Sequence, residues 1–123
     1  MILVDSSVWI NHLRTADERL TILLDAGEVL GHPFVLGELA LGHLYPRDAA
    51  LKDLRDLPQA VLADDELVLD LINRVPLFGR GVGYVDAHLL ASVRLTLEAK
   101  LWTDDASLRS VAAELGLAAM LPH

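Results

Sequence analysis

Short, wholly apolar runs alternate along this chain with longer stretches in which apolar residues recur every three or four positions. Ile2-Leu3-Val4 ends at Asp5, Val29-Leu30 precedes His32-Pro33, and Leu101-Trp102 precedes Thr103-Asp104-Asp105. Runs this short, with no polar alternation, predict strands covered on both faces, as in a parallel sheet. Strands are therefore expected over 2–5, 29–30, 60–62 and 100–103, with another near 119–121. Between them the period becomes helical. Helices are expected from about 6 to 13, with Ser6 or Ser7 as the cap, and then over 17–26, 33–44 and 47–57. A further helix is capped by Asp64 and carries Val68, Leu71, Ile72 and Val75 inward. Another spans 84–99, with Val85, Leu89, Val93 and Leu97 inward, and the last spans 105–115. Gly27 and Gly116 read as helix stops, and Pro33 suits a first helical turn. Residues 76–83 read as a loop rich in glycine. Strands alternating with helices predict an α/β fold, a short parallel sheet with helices on both faces, in one domain over 1–123.

In such sheets, ligands bind beyond the carboxyl ends of the strands. Asp5 and the Asp104-Asp105 pair fall at such ends. Glu38 is the lone charge between Pro33 and Tyr45, and Asp86 the lone charge between Gly81 and Val93. A carboxylate buried without a partner costs several kcal/mol or takes up a proton. Acids isolated in apolar runs this often are expected to converge on a cation. Oxygen donors without cysteine or a zinc-like histidine spacing suit a hard ion, Mg²⁺ or Mn²⁺. Such an ion activates water and stabilises charge on a phosphoryl oxygen, which predicts phosphodiester hydrolysis.

Composition narrows this in part. The net charge of −8 argues against a passive nucleic-acid coat, but bound cations would offset it for a nuclease. It also suits a basic protein partner. With no cysteine, disulfides are excluded, so a cytoplasmic setting is permitted. Asp5 cuts the opening apolar run too early for a signal peptide, and no run is long enough to span a membrane.

Four segments in order carry a family resemblance. Asp5-Ser6-Ser7-Val8-Trp9-Ile10, Glu38-Leu39, Tyr84-Val85-Asp86-Ala87-His88-Leu89-Leu90-Ala91 and Leu101-Trp102-Thr103-Asp104-Asp105 together resemble the PIN-domain ribonucleases. Among these, the chain looks most like the VapC-type toxins of bacterial toxin–antitoxin pairs. The resemblance implies a three-layer PIN-like fold and an endoribonuclease that uses Mg²⁺ or Mn²⁺. It implies cleavage to a 5′-phosphate and a 3′-hydroxyl, and inhibition by a cognate antitoxin. Asp5, Glu38 and Asp86 carry over as catalytic and metal-binding acids. The Thr-x-Asp pattern selects Asp105 as the fourth, while the doubled acid leaves Asp104 open. A homodimer is expected from the family, with the apolar helices near 34–45 and 67–75 as candidate faces.

Ser7 is expected to hydrogen-bond a ligand carboxylate or a metal-bound water, with capping the alternative, and Thr103 to orient the groups behind the ligands. Arg80, in the loop before Asp86, is either a contact for an RNA phosphate or a structural salt bridge. His12, His32, His43 and His88 lack metal spacing, and Trp9 and Trp102 read as core or interface. Two other readings compete. A phosphoacceptor receiver domain would need an acid pair at the first strand, where Ser6 and Ser7 stand, and a lysine after a late strand, whereas Lys100 precedes one. A PIN domain kept only for binding would retain the acids without activity.

Overall fold

The computed structural model describes residues 1–121. Strand β1 (Ile2–Val4) lies at the centre of a parallel sheet, between β2 (Val29–Leu30) and β3 (Lys100–Trp102). Leu3 pairs with Leu30 on one side and Leu101 on the other, and Val4 pairs with Trp102. Leu3, Val4, Val29, Leu30, Leu101 and Trp102 are all buried, which explains why these strands have no polar alternation.

Helices α1 (Ser6–Arg14) and α2 (Glu18–Asp25) join β1 to β2. Helices α3 (Pro33–Ala40), α4 (Arg47–Arg55), α5 (Asp65–Arg74) and α6 (Tyr84–Leu95) join β2 to β3, and α7 (Ala106–Glu114) follows. The first crossover steps outward from β1, and the second steps back across it. Helix α3 packs against both α1 and α4, while α5 packs against α6, which lies on β3. One cluster of buried side chains, including Val8, Leu20, Val68, Leu89, Leu90, Leu108 and Val111, fills the space between the layers. Gly116, at φ +71°, ends α7 as expected, with Leu117 N–H donating back to Ala112 O.

Several expected elements are shorter. No strand forms over 60–62; a lone bridge joins Gly31 to Gln59, and Val61 and Leu62 turn out to solvent. At 119–121 the strand reduces to a bridge between Leu101 and Ala118. Helix α3 stops at Ala40 instead of 44, and Leu41 is almost fully exposed. Helix α6 stops at Leu95, where Thr96 turns extended and its hydroxyl bonds back to Ser92 O at 2.7 Å. Leu97, expected inward, is 89% exposed. The cap of α1 is Asp5 itself, and Ser6 is the first helical residue.

Candidate active site

Because Val4 pairs with Trp102, the residues that follow β1 and β3 emerge side by side. Asp5, buried to 4% exposure, is held from three directions. Its Oδ1 accepts from Ser6 N–H at 2.7 Å, and its Oδ2 accepts from the Ser7 and Thr103 hydroxyls at 2.8 Å each. Thr103 Oγ1 in turn accepts from Asp105 N–H at 3.0 Å, and Ser7 Oγ accepts from Asp104 N–H at 3.1 Å. The start of α1 and the exit of β3 are thus tied together through one carboxylate. Ser7 and Thr103 each hydrogen-bond Asp5.

Glu38 reaches the same place from α3, which packs against α1. The Ser6 hydroxyl lies 3.2 Å from Glu38 Oε1 and 3.4 Å from Asp5 Oδ1, so one side chain spans both acids. Asp86 arrives from the first turn of α6. It is half-buried, with one long hydrogen bond from Gly83 N–H at 3.4 Å. Its carboxyl is pushed up to about 6, first by burial and then by the charge of Asp5, with smaller pushes from Asp105 and Glu38; the Gly83 amide works the other way. Four acids therefore act on one another in one region. Among the described residues, none of the four has an ion pair with a basic group.

The acids do not share one degree of burial, contrary to what their apolar runs imply. Glu38 and Asp105 are exposed, because each lies on the outer face of its helix or at a helix start. Asp105 caps α7, accepting from Leu108 N–H at 2.9 Å, yet its charge still reaches Asp86. Asp104 points outward and accepts from Asn11 Nδ2 at 2.8 Å. Among the described residues, no three acid or histidine side chains already stand close enough together to hold a metal ion. The ring is open, with oxygen donors on its rim. Arg80 does not face it: its guanidinium makes two 2.7 Å hydrogen bonds to Glu114, at the far end of α7 from Asp105. The salt-bridge alternative is the one observed.

No family model matches the chain. Ribonuclease VapC32 of Mycobacterium tuberculosis, from each of two strains, is 51% identical to it over 118 residues, covering 96% of this chain and 95% of the relative. The chain belongs to the VapC ribonuclease family. The α/β architecture agrees with the PIN-like fold that the four segments imply.

Two features of this VapC chain were not singled out from the sequence. Ser6 read only as a possible cap, although a hydroxyl at the first helical position after an acid is placed to bridge carboxylates. The second is a buried histidine pair. His32 caps α3, its Nδ1 accepting from Phe34 N–H at 3.0 Å, and its Nε2 meets Ser92 Oγ in mid-α6 at 3.1 Å. Burial, then the neighbouring His88, lowers its pKa to about 4, so the ring is neutral at physiological pH. With Nδ1 accepting, the neutral ring carries its proton on Nε2 and donates to Ser92. His88 packs edge-on against Phe34 and Tyr84. Its Nε2 lies 3.2 Å from Asp65 Oδ1, but at an angle that leaves the buried nitrogen without a hydrogen bond. Neither ring joins the acids.

Proposed function

We propose that this chain is a metal-dependent endoribonuclease toxin that hydrolyses RNA phosphodiester bonds and is silenced by a cognate antitoxin. The observation that carries this is Asp86, pushed up first by its half-burial and then by the charge of Asp5, with Asp105 and Glu38 adding to it and no base among the described residues paired with any of the four. Uncompensated negative charge of this kind is what a divalent cation relieves. The donors are all oxygens, and an open ring suits an ion that retains several waters, as Mg²⁺ and Mn²⁺ do. Asp5, Glu38, Asp86 and Asp105 would hold it. When bound, such an ion supplies an activated water and charge stabilisation at the phosphoryl group. The chain's own part is orientation: Ser7 and Thr103 fix Asp5, Ser6 spans Asp5 and Glu38, and the Thr103 hydroxyl steadies the backbone at Asp105.

The name of the M. tuberculosis relative supports the ribonuclease reading. The acidic rim suits a basic antitoxin segment. Exposed Phe34, Leu41, Tyr45, Leu67 and Leu69 on or beside α3 and α5 support a homodimer through those faces. Among the described residues no helix is long and apolar enough to cross a membrane, and the cysteine-free chain suits the cytoplasm. The receiver reading loses its lysine: Lys100 sits at the amino end of β3, bonded to Gly116 O, opposite the acids.

The test is cleavage of bacterial RNA by purified protein, with the ends of the products mapped. Cleavage should stop in EDTA, return with Mg²⁺ or Mn²⁺, leave 5′-phosphates, and be blocked by the antitoxin. Undiminished cleavage in EDTA would overturn the metal assignment.

A further inference from the structure

An enzyme with a net charge of −8 and an acidic rim must still hold a polyanion, so each uncommitted cation near that rim matters. Of the ten Lys and Arg side chains, six are engaged. Arg19, Lys52, Arg74 and Arg80 pair with carboxylates. Arg47 donates to the Ala40 and Gly42 carbonyls, and Lys100 to that of Gly116. Arg14, Arg55, Arg94 and Arg109 have no such partner among the described residues. Of these four, Arg14 shares a cavity with a site acid.

That cavity, about 350 Å³, is lined by Ile10, Leu13, Arg14, Glu38, Leu39 and His43, among others. Ile10 and Leu13 are 44% and 52% exposed, so part of its lining is uncovered apolar surface. Arg14 ends the nine-residue helix that begins beside Asp5. That helix is roughly 13 Å long, so a group on Arg14 meets a phosphate neighbouring the reacting one, not the reacting one itself. A guanidinium grips phosphate through two parallel hydrogen bonds, and unpaired bases of single-stranded RNA settle on apolar or planar surfaces.

We propose that this cavity is a subsite for the RNA strand, with Arg14 holding the phosphate beside the scissile one and the exposed Ile10 and Leu13 receiving the adjoining unpaired base. This rests on the ribonuclease reading above. A free cation beside the apolar lining favours an anionic strand there over a basic peptide.

The probe is a fluorescently labelled single-stranded RNA of randomised sequence, measured with wild type, Arg14→Ala and Arg14→Lys. Binding is read by anisotropy in EDTA over a series of KCl concentrations, and turnover separately in Mg²⁺. Arg14→Ala should raise Kd and KM about tenfold, the scale of a lost charge-assisted hydrogen bond, with kcat within about twofold. Its log Kd against log salt should flatten by about 0.7, one single-strand phosphate contact. Arg14→Lys should keep the slope and recover only part of the affinity, since an ammonium cannot fork. Unchanged Kd and slope in Arg14→Ala would overturn the subsite. So would a Lys- and Arg-rich peptide that Arg14→Ala binds more tightly than wild type while RNA binding stays the same, because the groove would then be a peptide dock. Failure of the wild type to cut in Mg²⁺ would remove the enzymatic reading instead, and the EDTA binding series distinguishes the two failures.

Discussion

Asp5, at the end of β1, is buried and receives three hydrogen bonds of 2.7 to 2.8 Å, while Asp86, at the start of α6, is only half-buried and receives one of 3.4 Å. Asp86 is pushed up to about 6, first by its own burial and then by the charge of Asp5, with smaller pushes from Asp105 and Glu38. Burial weighs on a carboxylate most where donors are few and neighbours are charged, and Asp86 has both. The sign of the effect follows. In the folded chain Asp86 keeps its proton up to about pH 6, against 3.8 ordinarily. Any stability it lends is present below about pH 4 and is lost as pH rises through about 6. Charged at neutral pH, and discounted for its partial exposure, it costs about 1 to 2 kcal/mol.

The largest break in this comparison is Asp86→Asn. RNA cleavage should fall by more than about 10³-fold, while urea unfolding at neutral pH shows a protein about 1 kcal/mol more stable than wild type. A less stable variant would mean that Asp86 is a structural acid after all. Asp5→Ala should behave in the opposite way, losing about 3 kcal/mol in the same titration because Ser6 N–H and two hydroxyls lose their acceptor. Equal stability in the two variants would erase the distinction. Thr103→Val sharpens it: the hydroxyl both supports Asp5 and accepts from Asp105 N–H, so about 1 to 2 kcal/mol and roughly tenfold in cleavage should go together. The smallest effect is expected at Asp104→Ala, with cleavage within about twofold and stability within about 0.5 kcal/mol. A large loss there would move the fourth acid from Asp105 to Asp104.

The sheet was legible because both its faces are covered, which leaves uninterrupted apolar runs at β1, β2 and β3. The same logic misread 60–62: three apolar residues look alike whether a helix covers them or water does, and Val61 and Leu62 face water. Helix ends marked by glycine, at Gly27 and Gly116, were readable from residue type. The end of α6 was not, since it depends on Thr96 bonding back to Ser92, which competes only weakly with another helical turn. For the site, the charges of Asp5, Glu38 and Asp105 do act on Asp86, but the expected convergence on a cation is not preformed among the described residues. Their exposure was not foretold, because an apolar neighbourhood in sequence does not tell which face of a helix a residue takes, and Glu38 takes the open one. Ser6 escaped because a hydroxyl beside an acid has several local uses, and only the approach of α3 selects one.

The imidazole of His32 begins α3 through one nitrogen and grips the middle of α6 through the other. Glu38 rides on the first of these helices and Asp86 on the second, so the ring works as a cross-brace between two arms of the acidic rim. Neither arm can slide along its axis without tugging its fellow. The spacing of Glu38 and Asp86 is thereby gauged from deep inside the protein, by a residue that lies outside the acidic rim.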